Sequence, residues 1–199
     1  MIEKFEGIKG FLDPEEGNAL YEFCRSSHLN GVCVEIGAYC GKSACYIGQA
    51  CKQVGSKLYS VDHHKGSEEQ QFGEEYFDEE IFDYSKNEVN TLPLFLSNIS
   101  KFELDNFIEP LIMTSEEASK VVPNELDFLF IDGSHSFESA NNDYENWKHL
   151  IEKHGALAFH DIYEDPSKGG QAPYKVFQKA IDDGFKIFDR VDTAVCLTY

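Results

Sequence analysis

Hydrophobic positions along this chain change period at short intervals. Compact apolar runs of strand length occupy residues 32–36, 58–61, 108–113, 126–131 and 156–159. Between them the apolar residues recur at helical spacing. Ala44, Ile47, Cys51 and Val54 keep one face, with Gly55 as the stop, and residues 92–102 and 173–182 read as further helices. Phe137, Ala140, Tyr144, Trp147 and Ile151 repeat at i+3 and i+4, which predicts a helix running to a stop at Gly155. Asp13-Pro14-Glu15-Glu16 combines a cap, a first-turn proline and acids against the dipole, so residues 15–25 should form an N-terminal helix outside the core sheet. Residues 126–131 are apolar except for Asp127, as suits a central buried strand, and residues 185–191 with 194–198 read as a closing hairpin. Strands alternating with helices predict an α/β fold, a Rossmann-like three-layer sandwich built on a mostly parallel sheet.

Composition narrows the class of molecule. The 199 residues suit a single domain with a substantial core, and neither a repeat nor a linker divides them. Residues 1–30 read as a helical extension, and residues 63–91 as an insertion carrying nine acids interleaved with aromatics, first of all a solvated face and alternatively a segment long enough to close over a substrate. Seventeen basic against 36 acidic residues give a net charge of −19, which argues against nucleic acid or an anionic membrane as partner. The six cysteines form no C-x-x-C pair and read as reduced core residues, and no run approaches a membrane span, so a cytoplasmic location is expected. Self-association is left open.

Candidate chemistry begins at Glu35-Ile36-Gly37-Ala38-Tyr39-Cys40-Gly41-Lys42-Ser43, between an apolar strand and a helix start. Gly37 and Gly41 allow close backbone approach, and helix-start N–H groups face the turn. Its spacing is neither the dinucleotide fingerprint nor a P-loop. A carboxylate in the turn repels a pyrophosphate and attracts a cation, which points to S-adenosylmethionine, whose sulfonium and ammonium are positive. Asp62, ending the next strand, is placed to accept both ribose hydroxyls.

These residues resemble the cofactor loop of catechol O-methyltransferase, and the C-terminal half resembles the bacterial macrocin O-methyltransferase and cephalosporin hydroxylase group. The likeness, strong in the motifs and weak between Gly66 and Asn90, is to class I S-adenosylmethionine-dependent methyltransferases. It implies a seven-stranded sheet ending in an antiparallel pair. It further implies that Glu35 meets the cofactor's ammonium, that Gly37, Tyr39, Gly41 and Ser43 line its methionine portion, and that Ser115 contacts adenine.

A second cluster follows from the ends of the two later strands. Asp132, His160 and Asp161 should face the same crevice as Glu35 and Asp62, with Asp132 also beside the cofactor. Two carboxylates and an imidazole suit a divalent metal. The resemblance places metal ligands at these three positions, but relatives often have Asp-Asn or two acids where this chain has His160-Asp161, so Mn²⁺ or Zn²⁺ competes with Mg²⁺. His135 occupies the position where the resemblance implies a base that takes the substrate proton, with capping of the following helix as the alternative. Gln171 and Tyr174 are substrate-contact candidates, and His63 and His64 are open between groups supporting the site from behind, metal contacts and turn polars. The expected activity is metal-assisted O-methylation of a small soluble molecule. Its rivals are a non-methylating metal enzyme on the same scaffold and a cofactor-binding interaction module without turnover.

Overall fold

In the computed structural model, which describes residues 2–27, 31–74, 76–134 and 136–199, the compact apolar runs form one seven-stranded sheet of order β5-β2-β1-β6-β7-β9-β8. The strands are β1 (Val32–Ile36), β2 (Lys57–Val61), β5 (Ile108–Leu111), β6 (Leu126–Ile131), β7 (Ile151–Phe159), β8 (Lys186–Val191) and β9 (Ala194–Thr198). The first five run parallel, and β9 pairs antiparallel with both β7 and β8. Alternate residues of each strand point to opposite faces, so one side of β1 and β6 gives Cys33, Phe128 and Phe130 to one core and the other gives Val34, Leu129 and Ile131 to a second. Helices α1 (Pro14–Ser26), α2 (Lys42–Val54) and α3 (Leu92–Lys101) cover the first face, and α5 (Phe137–Trp147) and α6 (Ala172–Asp182) the second. A single turn, α4 (Ser115–Ala118), follows β5.

The chain leaves β1 toward β2 and β5, then crosses back to β6 and β7. That reversal opens a crevice between β1 and β6 beyond their carboxyl ends, where ligands of such sheets bind. The insertion at residues 63–91 is ordered by two short 3₁₀ turns and a two-stranded ribbon, β3 (Phe82–Asp83) with β4 (Glu88–Val89), and packs Ile81, Phe82 and Val89 on Cys40. Lys9 pairs with Asp78 and Glu80, joining the N-terminal segment to this insertion. No described helix is long and apolar enough to cross a membrane.

One predicted boundary needs correction. The helix does not continue to Gly155: α5 ends at Trp147, a 3₁₀ turn covers Lys148–Leu150, and Ile151 already pairs with Leu126 as the start of β7. Ile151 therefore continues the apolar periodicity as a strand residue, and a Cβ on Gly155 would come within 2.6 Å of the Leu126 carbonyl, so this glycine admits a neighbouring strand.

Candidate active site

The crevice is a cavity of about 1010 Å³, and Gly37, Tyr39, Ser43, Asp62, Ser115, Asp132, His160 and Asp161 all line it. Glu35 and Gly41 belong to the same turn without reaching its surface. Gly37 has φ +88, and a Cβ there would lie 2.1 Å from the Asp132 carbonyl oxygen, so the missing side chain lets the turns after β1 and β6 touch. Gly41, at φ +87, caps α2 and faces Phe95.

Glu35 is fully buried and accepts hydrogen bonds from Ser43 Oγ at 2.9 Å and Ser60 Oγ at 2.5 Å. Burial pushes its carboxyl up to about 8; the two hydroxyls oppose the shift, and Asp132 and Asp62 reinforce it. Of this pair, Ser43 is the residue that meets the cavity. Asp62 braces the turn, Oδ2 accepting from the N–H groups of Ala38 and Tyr39, each at 2.9 Å, and Oδ1 from His64 N at 2.7 Å. A carboxylate has about four lone-pair positions, so little capacity remains for a ligand.

Ser115 opens α4 and is tied on both sides: its hydroxyl accepts from Trp147 Nε1 at 2.9 Å and donates to Asp143. Asp143, absent from the sequence-based candidates, is buried on α5, lines the cavity, and is pushed up to about 6 by burial. Its signal was an acid three residues after Ala140 on an otherwise apolar stripe.

Asp132, His160 and Asp161 come together with one donor atom each inside 4.8 Å. His160 Nδ1 lies 3.2 Å from Asp132 Oδ1 and 3.4 Å from Asp161 Oδ2. On the far side its Nε2 lies 3.0 Å from Glu16 Oε2, a residue of α1 that sequence reading had taken only as a helix-start acid. Burial alone would lower the His160 pKa, but Asp132, Asp161 and Glu16 hold it well above the ordinary range. Glu16 Oε1 accepts from Thr193 N and Oγ1, and these donors with His160 overcome burial to keep the carboxyl at about 2. Asp161 itself sits at φ +57, a conformation uncommon for a non-glycine residue.

His135 lies outside the described residues. His63 lines the cavity, whereas His64 is buried with Nδ1 2.7 Å from Thr91 Oγ1. Gln171 donates to the carbonyls of Tyr163 and Gly169 and Tyr174 stacks on Phe177; neither lines the cavity, while Lys168, Gly169 and Gly170 of the same loop do.

Comparison with known proteins agrees with this architecture. The family described as "Methyltransferase domain" matches residues 34–162. Among solved structures, the O-methyltransferase NovP superposes with a TM-score of 0.67 at 15% identity, covering 92% of this chain and 78% of NovP. TomG from Streptomyces achromogenes, an O-methyltransferase involved in tomaymycin synthesis and solved with SAM, gives 0.64 at 11% identity over 94% of this chain and 81% of its own. An O-methyltransferase from Bacillus cereus in complex with SAH gives 0.63 at 12% identity, over 95% and 83%.

Proposed function

The chain belongs to the methyltransferase-domain family and has the class I fold, and from that premise we propose that it transfers a methyl group from S-adenosylmethionine to an oxygen of a small soluble molecule, assisted by a divalent cation. The observation that carries this reading is the convergence of the turn after β1, Asp62 and the Asp132–His160–Asp161 cluster on one cavity. At about 1010 Å³ the cavity is at the upper end of the usual range for small-molecule sites, with room for an acceptor beside the cofactor. The overall charge of −19 suits neither a nucleic-acid nor an anionic-membrane substrate.

S-adenosylmethionine supplies an electrophilic methyl on a sulfonium. The methyl carbon bonds to the acceptor oxygen as its bond to sulfur breaks, leaving a neutral thioether; the hydroxyl proton goes to a base. The chain's task is alignment and removal of that proton. Ser43 and Gly37 face the methionine portion, with the Glu35 carboxyl reached through Ser43. Asp62 offers its remaining lone pair to ribose, and Ser115 with Asp143 offers acceptors to the adenine amino group. His135 is assigned as the base, since an imidazole titrates near working pH.

The donor set fits a divalent ion. Two carboxylates and one imidazole nitrogen face one point, and the other ring nitrogen is held by a buried carboxylate, the arrangement that orients metal-bound histidines. A cation there supplies Lewis acidity toward the acceptor hydroxyl. A second reading has its own support: with both ring nitrogens facing carboxylates, a protonated His160 can serve as the cluster's cation.

Calorimetry should show binding of S-adenosylmethionine and S-adenosylhomocysteine but not NAD; absence of binding defeats the methyltransferase reading. Protein stripped by chelator and free of metal should lose turnover and regain it with Mn²⁺, Mg²⁺ or Zn²⁺. Full activity without metal favours His160 as the resident cation. His135→Ala should reduce turnover by roughly 10²–10⁴-fold with cofactor affinity intact; if it is a cap, turnover stays and stability falls by about 1 kcal/mol.

A further inference from the structure

At the opposite end of the sheet from the cavity, a second group of ligand-type side chains converges. Cys24 near the end of α1, Cys33 near the start of β1 and Cys51 in the last turns of α2 place their sulfur atoms within 4.8 Å of one another. All three are fully buried, and Cys24 Sγ lies 3.7 Å from Cys33 Sγ. A zinc–thiolate bond is about 2.3 Å, so sulfurs sharing one ion lie about 3.8 Å apart in tetrahedral and about 4.0 Å apart in trigonal geometry. The measured edge already matches. A disulfide uses two thiols; the third here, arriving from a different element, is what a metal needs.

The surroundings are consistent with ligation. Ser56 Oγ is 4.0 Å from Cys33 Sγ, is half-buried, and donates to the Gly31 carbonyl, marking the side on which a fourth ligand or a water can approach. The S–H groups of Cys24 and Cys33 pull the Cys51 thiol below the ordinary range, while Cys24, by burial, and Cys33 are held well above it, so Cys51 is the thiol of the three that ionises first. Thiolates are soft ligands, unlike the oxygen-rich set at the cavity.

We infer that Cys24, Cys33 and Cys51 form a site for one soft closed-shell cation of the zinc, cadmium or copper(I) class, which ties α1 and α2 to the first strand. The ion's role is structural: it lies away from the cavity and braces the helix whose other end carries Glu16.

Cadmium is the probe. Full-length protein, reduced and freed of metal by chelator, is titrated with Cd²⁺ while thiolate-to-metal charge-transfer absorption and the melting midpoint are followed. The expected result is a thiolate band complete after one equivalent, as the soft ion fills the sulfur site before the oxygen-rich cluster at the cavity, with the intensity of three thiolates per ion and a raised midpoint. Cys51→Ala should weaken this binding at least tenfold, and Asp161→Asn should leave the thiolate band unchanged. The inference is overturned if wild-type protein shows no thiolate band at one equivalent, or a band unchanged in Cys51→Ala. A Cys24–Cys33 disulfide under mild oxidation, without cadmium uptake by the reduced protein, also overturns it and leaves a redox pair instead. Because wild-type intensity counts the thiolates, the test stands even if Cys51→Ala does not fold, and Cys51→Ser provides the second variant.

Discussion

Glu35 and Glu16 are both buried carboxylates, yet only Glu16 has partners strong enough to overcome burial. Glu35, raised from 4.5 to about 8, binds more protons folded than unfolded between those values. Its contribution is fully present below about pH 4.5 and is lost as pH rises toward 8, with a slope of up to about 1.4 kcal/mol per unit. Glu16, lowered from 4.5 to about 2, behaves in the opposite sense: its contribution is present above 4.5 and lost as pH falls through 2. Melting midpoints from pH 5 to 9 should therefore show Glu35→Gln gaining on the wild type as pH rises. Parallel curves would mean that Glu35 is ionised throughout. Glu16→Gln should cost about 2–4 kcal/mol at neutral pH, read by urea unfolding, because it leaves the His160 charge short of a partner. If the cluster holds metal, the same change should weaken metal affinity by about 10–100-fold. Glu16 and Asp143 escaped sequence reading for one reason: each sits on the buried stripe of its helix, where charge marks a distant partner that periodicity does not name.

Elements were more legible than their contacts. Positions 32–36 and 126–131 were readable as strands because both faces of a central parallel strand are buried, leaving continuous apolar runs. Gly55 was readable as a stop because a helix terminus there needs a left-handed residue. Gly155 has the same letter and a different cause, one outside any local window of sequence: the Leu126 carbonyl that crowds it belongs to the neighbouring strand β6. Two glycines with almost equal φ should separate these causes. Gly55→Ala, with no atom within 4 Å of the new Cβ, should cost only the left-handed penalty of about 1–2 kcal/mol. Gly37→Ala, whose Cβ would meet the Asp132 carbonyl, should cost more than about 3 kcal/mol and displace the turn that carries the cavity wall. Equal losses in chemical denaturation would show that the contact after β6 yields easily.

For the molecule as a whole, the excess of 36 acids over 17 bases is a self-repulsion that the fold carries at every position. Raising ionic strength from about 10 mM to about 150 mM shortens the screening length from roughly 30 Å to 8 Å, so the melting midpoint should rise. A fall would show that local pairs, such as Lys9 with Asp78 and Glu80, outweigh the global field. The seven-stranded, mostly parallel sheet with its antiparallel end was reachable from alternation and resemblance, whereas the joining of Lys9 to the insertion was not, because it depends on a salt bridge between segments with no shared periodicity.

The hydrogen bonds from Thr193 and His160 to Glu16 span 177 and 144 positions of the chain. A ribosome must therefore carry synthesis past residue 193 before Glu16 gains all its partners, since α1 is held by the turn between β8 and β9. Until then Asp132, His160 and Asp161 lack the firmly held Glu16 carboxylate behind the imidazole. Firm seating of His160 thus follows the emergence of residue 193, and fragments ending before it should hold the imidazole less tightly even where the parallel strands have already paired.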